Sequence, residues 1–196
     1  MSLFQRWALA LLLLLSVSVA ADIPAAAQPA ASAAAAPAQP GGSGALRAWW
    51  VDQRWRYRTN EEAEGAYRAL VARESPWPEW HQVSVVTLPA GLRFQMALAP
   101  GQPTDRPGGF GTFDRIPNVE FVRLSLAVKM AWKPAIDRVV TYEITTPLPA
   151  DVGTVGPQID VPADRYLPGG GSQFQMMIPA AERIQHLRVV EVRPIR

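Results

Sequence analysis

The sequence predicts an α+β domain with a compact, mainly antiparallel and strongly twisted β core. One or two short helices are expected to pack at its N-terminal side. After Gln82, apolar and polar residues alternate with a period of two through most of the chain, which is the pattern of half-buried strands. The 19 prolines and 14 glycines cluster between these runs, so long helices should be few.

Five segments carry the alternation that predicts strands. Their members are Phe94, Met96 and Leu98; Val122, Leu124, Leu126, Val128, Met130 and Trp132; Val140, Tyr142 and Ile144; Phe174, Met176 and Ile178; and Leu187 to Val192. In the longest of these segments, Arg123 alternates with Val122 and Leu124. We therefore expect the Arg123 side chain to point away from the core.

Composition limits the classes of protein to which the chain can belong. Its 196 residues suit one compact domain, and the absence of cysteine excludes a disulfide scaffold, a cysteine-ligated metal site and a thiol nucleophile. A net charge of +2 is not the basic excess of a nucleic-acid-binding protein, so no nucleic-acid partner is expected. His81 and His186 lie far apart, so each is expected to be a surface or satisfied polar residue, and no metal site is predicted.

Residues 1–21 have the pattern of a secretory signal peptide. Arg6 supplies a positive start, Trp7 to Leu15 are apolar, and small residues, Ser18 to Ala20, precede Ala21. The apolar run is much shorter than the roughly 20 residues of a membrane-spanning helix. We therefore expect cleavage, a secreted or periplasmic protein and no stable membrane insertion; an uncleaved anchor or a buried helix is the alternative.

Three segments should follow the signal peptide. Residues 22–45 are nearly all Ala, Pro, Gln, Ser and Gly and predict a disordered spacer, so folding should begin near Leu46. Residues 46–86 are rich in Trp and Arg and should form a helical region that braces the domain. Residues 87–196 should contain the β core and the candidate functional site.

The bracing region has one clear helix signal and one run of tryptophans. Thr59 or Asn60 can cap a helix that ends near Arg73, before the Pro76-Trp77-Pro78 sequence. The tryptophans before it, interleaved with arginines, are Trp49, Trp50 and Trp55. We interpret them as packing on the main domain; a stacking platform for single-stranded nucleic acid is the alternative.

Two glycine clusters, residues 107–111 and 168–173, are candidate ligand loops. Consecutive glycine amides can bind an anion, although glycine loops are also ordinary hairpin turns. Arg106 leads into the first loop and Gln173 leaves the second. A guanidinium suits a pyrophosphate, and a glutamine amide can donate to and accept from a sugar. Together with Arg123, these two side chains are expected to converge on one polar cleft.

Several short blocks occur in an order that a known family shares. They read PGQPTDR at 100–106, GFGTF at 109–113, FVRLSL at 121–126, YEITTPLP at 142–149, and PGGGSQ at 168–173, with Gly153 and Gly156-Pro157 between the last two. From about Leu88 to Arg196, the chain therefore resembles the tuberculosis necrotizing toxin (TNT) domain family, which includes secreted fungal NADases. The family's histidine before the YEV strand has no counterpart here, and residues 158–167 are an insertion.

The resemblance implies hydrolysis of NAD or NADP to nicotinamide and ADP-ribose, with no cofactor beyond the substrate. It implies that Arg106 grips the phosphates, Arg123 is a second substrate contact, and Gln173 orients the nicotinamide-side ribose. Phe113 would pack on the nicotinamide or its ribose. The remaining implied substrate contacts are Asp105, Gly169, Gly170 and Gly171.

A toxin of this kind would be expected to have a cognate immunity protein as a partner. If the 158–167 insertion covered the cleft, its acids would hinder an anionic substrate. Two alternatives stay open: a non-catalytic extracytoplasmic β module, and an enzyme that transfers ADP-ribose to a protein. Gln173-Phe174-Gln175 follows the glycine loop where arginine-modifying transferases have a Glu-x-Glu or Gln-x-Glu pair, which favours hydrolysis.

Overall fold

The computed structural model describes residues 41–196. The predicted signal peptide and all but the last five residues of the predicted spacer lie outside the described residues. Within residues 41–196, none of the helices combines the length and the apolar character needed to cross a membrane.

Helix α1 (Gly44–Gln53) begins within the last two residues of the predicted spacer. Ser43 caps it by accepting a hydrogen bond from the Leu46 amide, and Ala45, Trp49 and Trp50 are buried. A good N-cap and the small buried residue Ala45 allow the helix to start within the Ala- and Gly-rich sequence.

Helix α2 (Asn60–Val71) confirms the helix predicted to begin at Thr59 or Asn60. Thr59 and Glu62 form a reciprocal capping box, and the helix ends ahead of Pro76 as expected. The 158–167 insertion forms a hairpin of β6 (Gln158–Asp160) and β7 (Arg165–Leu167). Ile159 and Tyr166 of this hairpin pack in one apolar cluster with residues of α1 and α2.

Two antiparallel sheets form the main β core. One has the strand order β1 (Val85–Leu88), β5 (Leu148–Thr154), β8 (Ser172–Met176) and β3 (Phe110–Gly111). The other has the order β2 (Arg93–Leu98), β4 (Arg138–Ile144) and β9 (Leu187–Pro194). This arrangement confirms the α+β prediction and four of the five predicted strand segments.

Aromatic side chains from both sheets meet in the main core. The Phe94 ring stacks on Tyr142 at 5.5 Å and meets Phe174 edge-on at 4.9 Å. All three side chains are at most 2% exposed. Burial of each such side chain contributes about 1.5–3 kcal/mol to the free energy of folding. Because Phe174 belongs to one sheet and Phe94 and Tyr142 to the other, their contact holds the two sheets together.

The predicted strand over Val122 to Trp132 is wrong. Helix α3 (Val119–Leu124) begins after Asn118, whose side chain accepts from the Phe121 amide, and irregular chain follows it. In the helix, Val119 and Val122 lie three residues apart and pack into the same apolar cluster. The local alternation is overridden because tertiary contacts, rather than a neighbouring strand, satisfy the backbone of this segment.

Candidate functional site

A cavity of about 340 Å³ opens between β2, the first glycine loop, α3 with the chain that follows it, and the start of β8. Most of its wall is apolar. Its polar lining side chains are Gln95, Gln102, Thr112, Lys133, Ser172 and Gln173. Within residues 41–196 no carboxylate lines the cavity, and Lys133 is the one ionisable residue in its wall. The cavity therefore suits a partly apolar ligand that needs hydrogen-bonding groups and one cation.

Gln173 lies where the second glycine loop becomes β8, and its side chain lines the cavity. It is 6% exposed, and its Nε2 donates to the Pro76 carbonyl oxygen at 3.3 Å. The Gly156 amide donates to the same oxygen at 2.8 Å. This arrangement fixes the Nε2 end of the amide and leaves Oε1 without a protein donor among the described residues, as an acceptor for a ligand.

A hydrogen-bond network holds the chain next to Gln173. The Thr112 and Ser172 hydroxyls are 3.0 Å apart, and Asp114 accepts from the Ser172 amide at 2.7 Å. Gln95 accepts from the Ile116 amide at 2.8 Å. Because these groups are already paired with one another, the polar part of the cavity is organised before any ligand enters.

Residues 76–84, which we call the covering segment, lie over the face of the sheet that carries Gln173. His81 Nε2 is 2.8 Å from Asp151 Oδ2, and Asp151 Oδ1 accepts from the Ser84 amide at 3.0 Å. The Trp77 ring stacks on the His81 ring at 4.0 Å. His81 is thus a satisfied polar residue, as predicted. Among the described residues no group of three or more His, Cys, Asp or Glu side chains could hold a metal ion.

Gly153 is the cross-strand partner of Gln173, and a Cβ there would lie 2.8 Å from His81 Cε1. Directly opposite residues on paired strands project from the same face of a sheet. The covering segment therefore packs directly beside the residue predicted to orient the ribose.

The second of the two candidate ligand loops has its glycine amides already hydrogen-bonded within the protein. The amides of Gly169, Gly170 and Gly171 each donate at 2.9 Å to a backbone carbonyl, those of Leu124, Val155 and Ser125 respectively. Gly169 and Gly170 have positive φ values of 73° and 90°, which explains the choice of glycine. These amides are not free to bind an anion, and the predicted substrate contact of the three glycines gains no support from them.

The alternation predicted that Arg123 points away from the core, and this prediction is wrong. Arg123 is 5% exposed and donates to the carbonyl oxygens of the segment after α3, those of Val128, Lys129, Lys133 and Pro134. Burial lowers the pKa of its guanidinium from the ordinary arginine value. Arg123 thus holds a segment that lacks a strand partner, and its role as a substrate contact stays a prediction.

The other predicted site residues lie near the cavity without lining it. Asp105 and Arg106 are exposed at the start of the first glycine loop. Phe113 is 39% exposed, and its ring stacks on Phe174 at 4.9 Å. Of the three residues expected to converge on one cleft, Gln173 lines this cavity and Arg106 and Arg123 do not.

Sequence reasoning missed Lys133. Lys133 follows Trp132, the last residue of the wrongly predicted strand, and only the irregular path after α3 brings it to the cavity wall. Its Nζ donates to the Ala97 carbonyl at 2.7 Å and to Gln102 Oε1 at 3.3 Å. No local motif marks this position.

Fold and site together define a small α+β domain of mainly antiparallel sheets with an apolar-walled cavity that carries an amide and an ammonium group. No protein-family profile matches the chain, and neither does any curated protein. Among solved structures it is similar to Tne2 in complex with Tni2, at 25% identity over 61% of this chain and 97% of that one, with a TM-score of 0.50.

Two weaker structural likenesses have a TM-score of 0.38. One is to Rhs1-CT in complex with its cognate immunity protein RhsI1, at 19% identity over 57% of this chain and 79% of that one. The other is to Tse6 in complex with Tsi6, at 18% identity over 70% of this chain and 88% of that one.

Proposed function

We propose that the chain is an exported NAD glycohydrolase that cleaves the nicotinamide–ribose bond of NAD or NADP and acts as a toxin. The observation that carries the proposal is the position of Gln173. This residue, to which the TNT resemblance assigns orientation of the ribose, is the one predicted catalytic side chain that lines the cavity. The likeness to Tne2, which extends over nearly all of that chain, supports the same reading.

The proposed reaction needs little acid or base catalysis from the protein. Water adds to C1′ of the nicotinamide-side ribose as the C1′–N bond breaks, and the bonding electrons neutralise the pyridinium nitrogen. One proton from the water passes to solvent, so NAD⁺ and water give ADP-ribose, nicotinamide and H⁺. Because nicotinamide leaves readily, positioning and electrostatics dominate, which is compatible with a cavity that no described carboxylate lines.

Gln173 would act by orientation. With Nε2 held on the Pro76 carbonyl, Oε1 would accept a hydrogen bond from a ribose hydroxyl. The apolar wall, which includes Val122, Leu126 and Val155, would exclude bulk water around the departing ring.

Export and partnership also belong to the proposal. The signal-peptide pattern of residues 1–21 supports a secreted or periplasmic enzyme that meets NAD outside the producing cytoplasm. The Tne2 structure contains a second protein, Tni2. By analogy we propose that a cognate immunity protein binds this chain.

The test is nicotinamide release from NAD by the purified chain lacking its predicted signal peptide. Gln173→Ala should lower the turnover number by at least about 100-fold, the effect of removing one well-placed polar group in a preorganised site. Gln175→Ala is the matched control, because Gln175 lies two residues along the same strand and does not line the cavity. Circular dichroism of both variants controls for folding.

The outcome separates the alternatives. Equal loss of activity in both variants would contradict a specific role for Gln173. A folded wild-type chain that leaves NAD and NADP intact would favour the binding-module alternative. Transfer of labelled ADP-ribose to an added protein, in place of free ADP-ribose, would favour the transferase.

A further inference from the structure

Lys133 is a cation in a cavity wall without an acidic partner. Its Nζ uses two of its three N–H donors, on the Ala97 carbonyl and on Gln102 Oε1. None of the ion pairs within residues 41–196 includes Lys133. The third donor thus has no described partner, and an unpaired charge in a partly buried place is costly unless a ligand neutralises it.

The surroundings of Lys133 are positive. Burial first, then the charges of Arg123 and Arg138, lower the pKa of its ammonium group. Arg138 forms an ion pair with Asp137 at 2.6 Å, and it also donates to the Ala99 carbonyl at 3.2 Å. The guanidinium groups of Arg123 and Arg138 are thus hydrogen-bonded to protein atoms. They contribute a positive electrostatic potential around Lys133 rather than free donors.

Two residues of the first glycine loop line the same cavity. Gly108 and Gly109 both line it, and within the described part of the chain neither of their amides donates a hydrogen bond. A Cβ at Gly109 would lie 3.2 Å from the Arg183 guanidinium, so another cation lies beside this loop. Unpaired consecutive amides near cations are a common protein device for binding phosphate oxygens.

A chain of contacts links the lysine to this loop. Gln102 accepts from Lys133 at 3.3 Å through Oε1, and its Nε2 approaches the Arg106 carbonyl at 3.5 Å. Arg106 lies two residues before Gly108 in the chain. Gln102 thus holds the ammonium group and the approach to the free amides in one local assembly.

We propose that Lys133, with the free amides of Gly108 and Gly109, forms the subsite that binds a phosphate of the dinucleotide. This inference rests on the proposed function, and it assigns the phosphate contact to Lys133 and the first glycine loop, whereas the resemblance implied Arg106, which leads into the same loop. It also makes Lys133 a specificity determinant, because a nucleoside substrate without phosphate gains nothing from the ammonium group.

Two measurements test the subsite. The first compares kcat/KM for NAD with that for nicotinamide riboside, which has the same scissile bond and no phosphate. Lys133→Met should lower the value for NAD by about 10- to 100-fold, the loss of one hydrogen bond to a charged group, and leave the riboside value nearly unchanged. Lys129→Met is the matched control, because Lys129 donates to the Arg73 carbonyl and does not line the cavity.

The second measurement is calorimetric titration with ADP-ribose, which needs no turnover. Lys133→Met should weaken binding by a similar factor. Lys133→Gln, which removes the charge but keeps a donor for the Ala97 carbonyl, serves if the Met variant does not fold. Lysine-dependent ADP-ribose binding without NAD cleavage would support the subsite and contradict the hydrolase. Equal ADP-ribose affinity in wild-type and variant proteins, or no binding by the wild type, would overturn the subsite.

Discussion

Replacing Gly153 by alanine tests how the covering segment is held against the site. A Cβ at this position would lie 2.8 Å from His81 Cε1, 2.9 Å from its Nδ1 and 3.2 Å from a ring atom of Trp77. All three separations are shorter than ordinary carbon contacts of about 3.5–4.0 Å. The His81 ring must therefore move away from β5, and its 2.8 Å contact with Asp151 lengthens.

The cost follows from the contacts that are lost. A hydrogen bond to an ionised carboxylate contributes about 1.5–3 kcal/mol, and disturbing the Trp77–His81 stack removes up to about 1 kcal/mol more. Alanine is favoured over glycine in a strand by about 0.5–1 kcal/mol, which offsets part of the loss. We therefore expect Gly153→Ala to lower the free energy of unfolding by about 1–3 kcal/mol.

The assay is urea denaturation of the Gly153→Ala and His81→Ala proteins and the double variant. In the His81→Ala background the extra methyl has room, so Gly153→Ala should cost less than half of its value in the wild type. Gly65→Ala is the control glycine substitution, since a Cβ there meets nothing within 4 Å in helix α2 and should stabilise the protein by about 1 kcal/mol. Gly153→Ala as stable as the wild type, or an equal cost with and without His81, would refute the reasoning.

Two further changes test the electrostatics of the fold. Tyr142→Phe removes the 2.8 Å hydrogen bond to the Thr104 carbonyl and should cost about 1 kcal/mol at pH 7. Burial raises the pKa of Tyr142 from 10.0 to about 12, so its neutral form stabilises the fold below pH 10 and that contribution is lost as pH rises from 10 towards 12. The free energy of unfolding, measured by denaturation at each pH, should therefore fall less steeply between pH 10 and 12 for the Phe variant. Identical slopes in the two proteins would contradict this role of Tyr142. Hydrogen bonds from the Ala45 and Gly44 amides lower the pKa of Asp164 from 3.8, so its contribution is present above that pH and is lost as pH falls below it. Asp164→Asn should lower the thermal midpoint at pH 7, and the midpoint of the variant should then decrease less than that of the wild type as pH falls below 3.8. An equal decrease in both proteins would argue against capping of α1 by this carboxylate.

The elements that sequence predicted correctly are those whose signals are local. The alternation of Phe94, Met96 and Leu98 predicted β2 because one face of that strand is buried and the other is not. The cap at the start of α2 is likewise local, because Thr59 and its capping-box partner Glu62 lie within four residues.

The failures around α3 arise from contacts between residues distant in sequence or outside regular structure. The segment from Val122 to Trp132 alternates like a strand, yet the carbonyl groups after the helix are satisfied by the Arg123 guanidinium, which no period reveals. The same irregular path brings Lys133 to the cavity. An error in one element thus concealed a candidate substrate contact.

The candidate site was predictable in part. Gln173 came from the resemblance to the TNT family and does line the cavity, whereas the free amides proved to be in the first glycine loop and not the second. Both loops are equally rich in glycine, and only the three-dimensional partners of their amides distinguish an open turn from a packed one.

The most direct test of the central claim is a time course of the products formed from NAD by the wild-type chain without its predicted signal peptide, separated by liquid chromatography. The account predicts that nicotinamide and ADP-ribose accumulate in equal amounts as NAD disappears. A folded chain that leaves both NAD and NADP unchanged over the same period would contradict it.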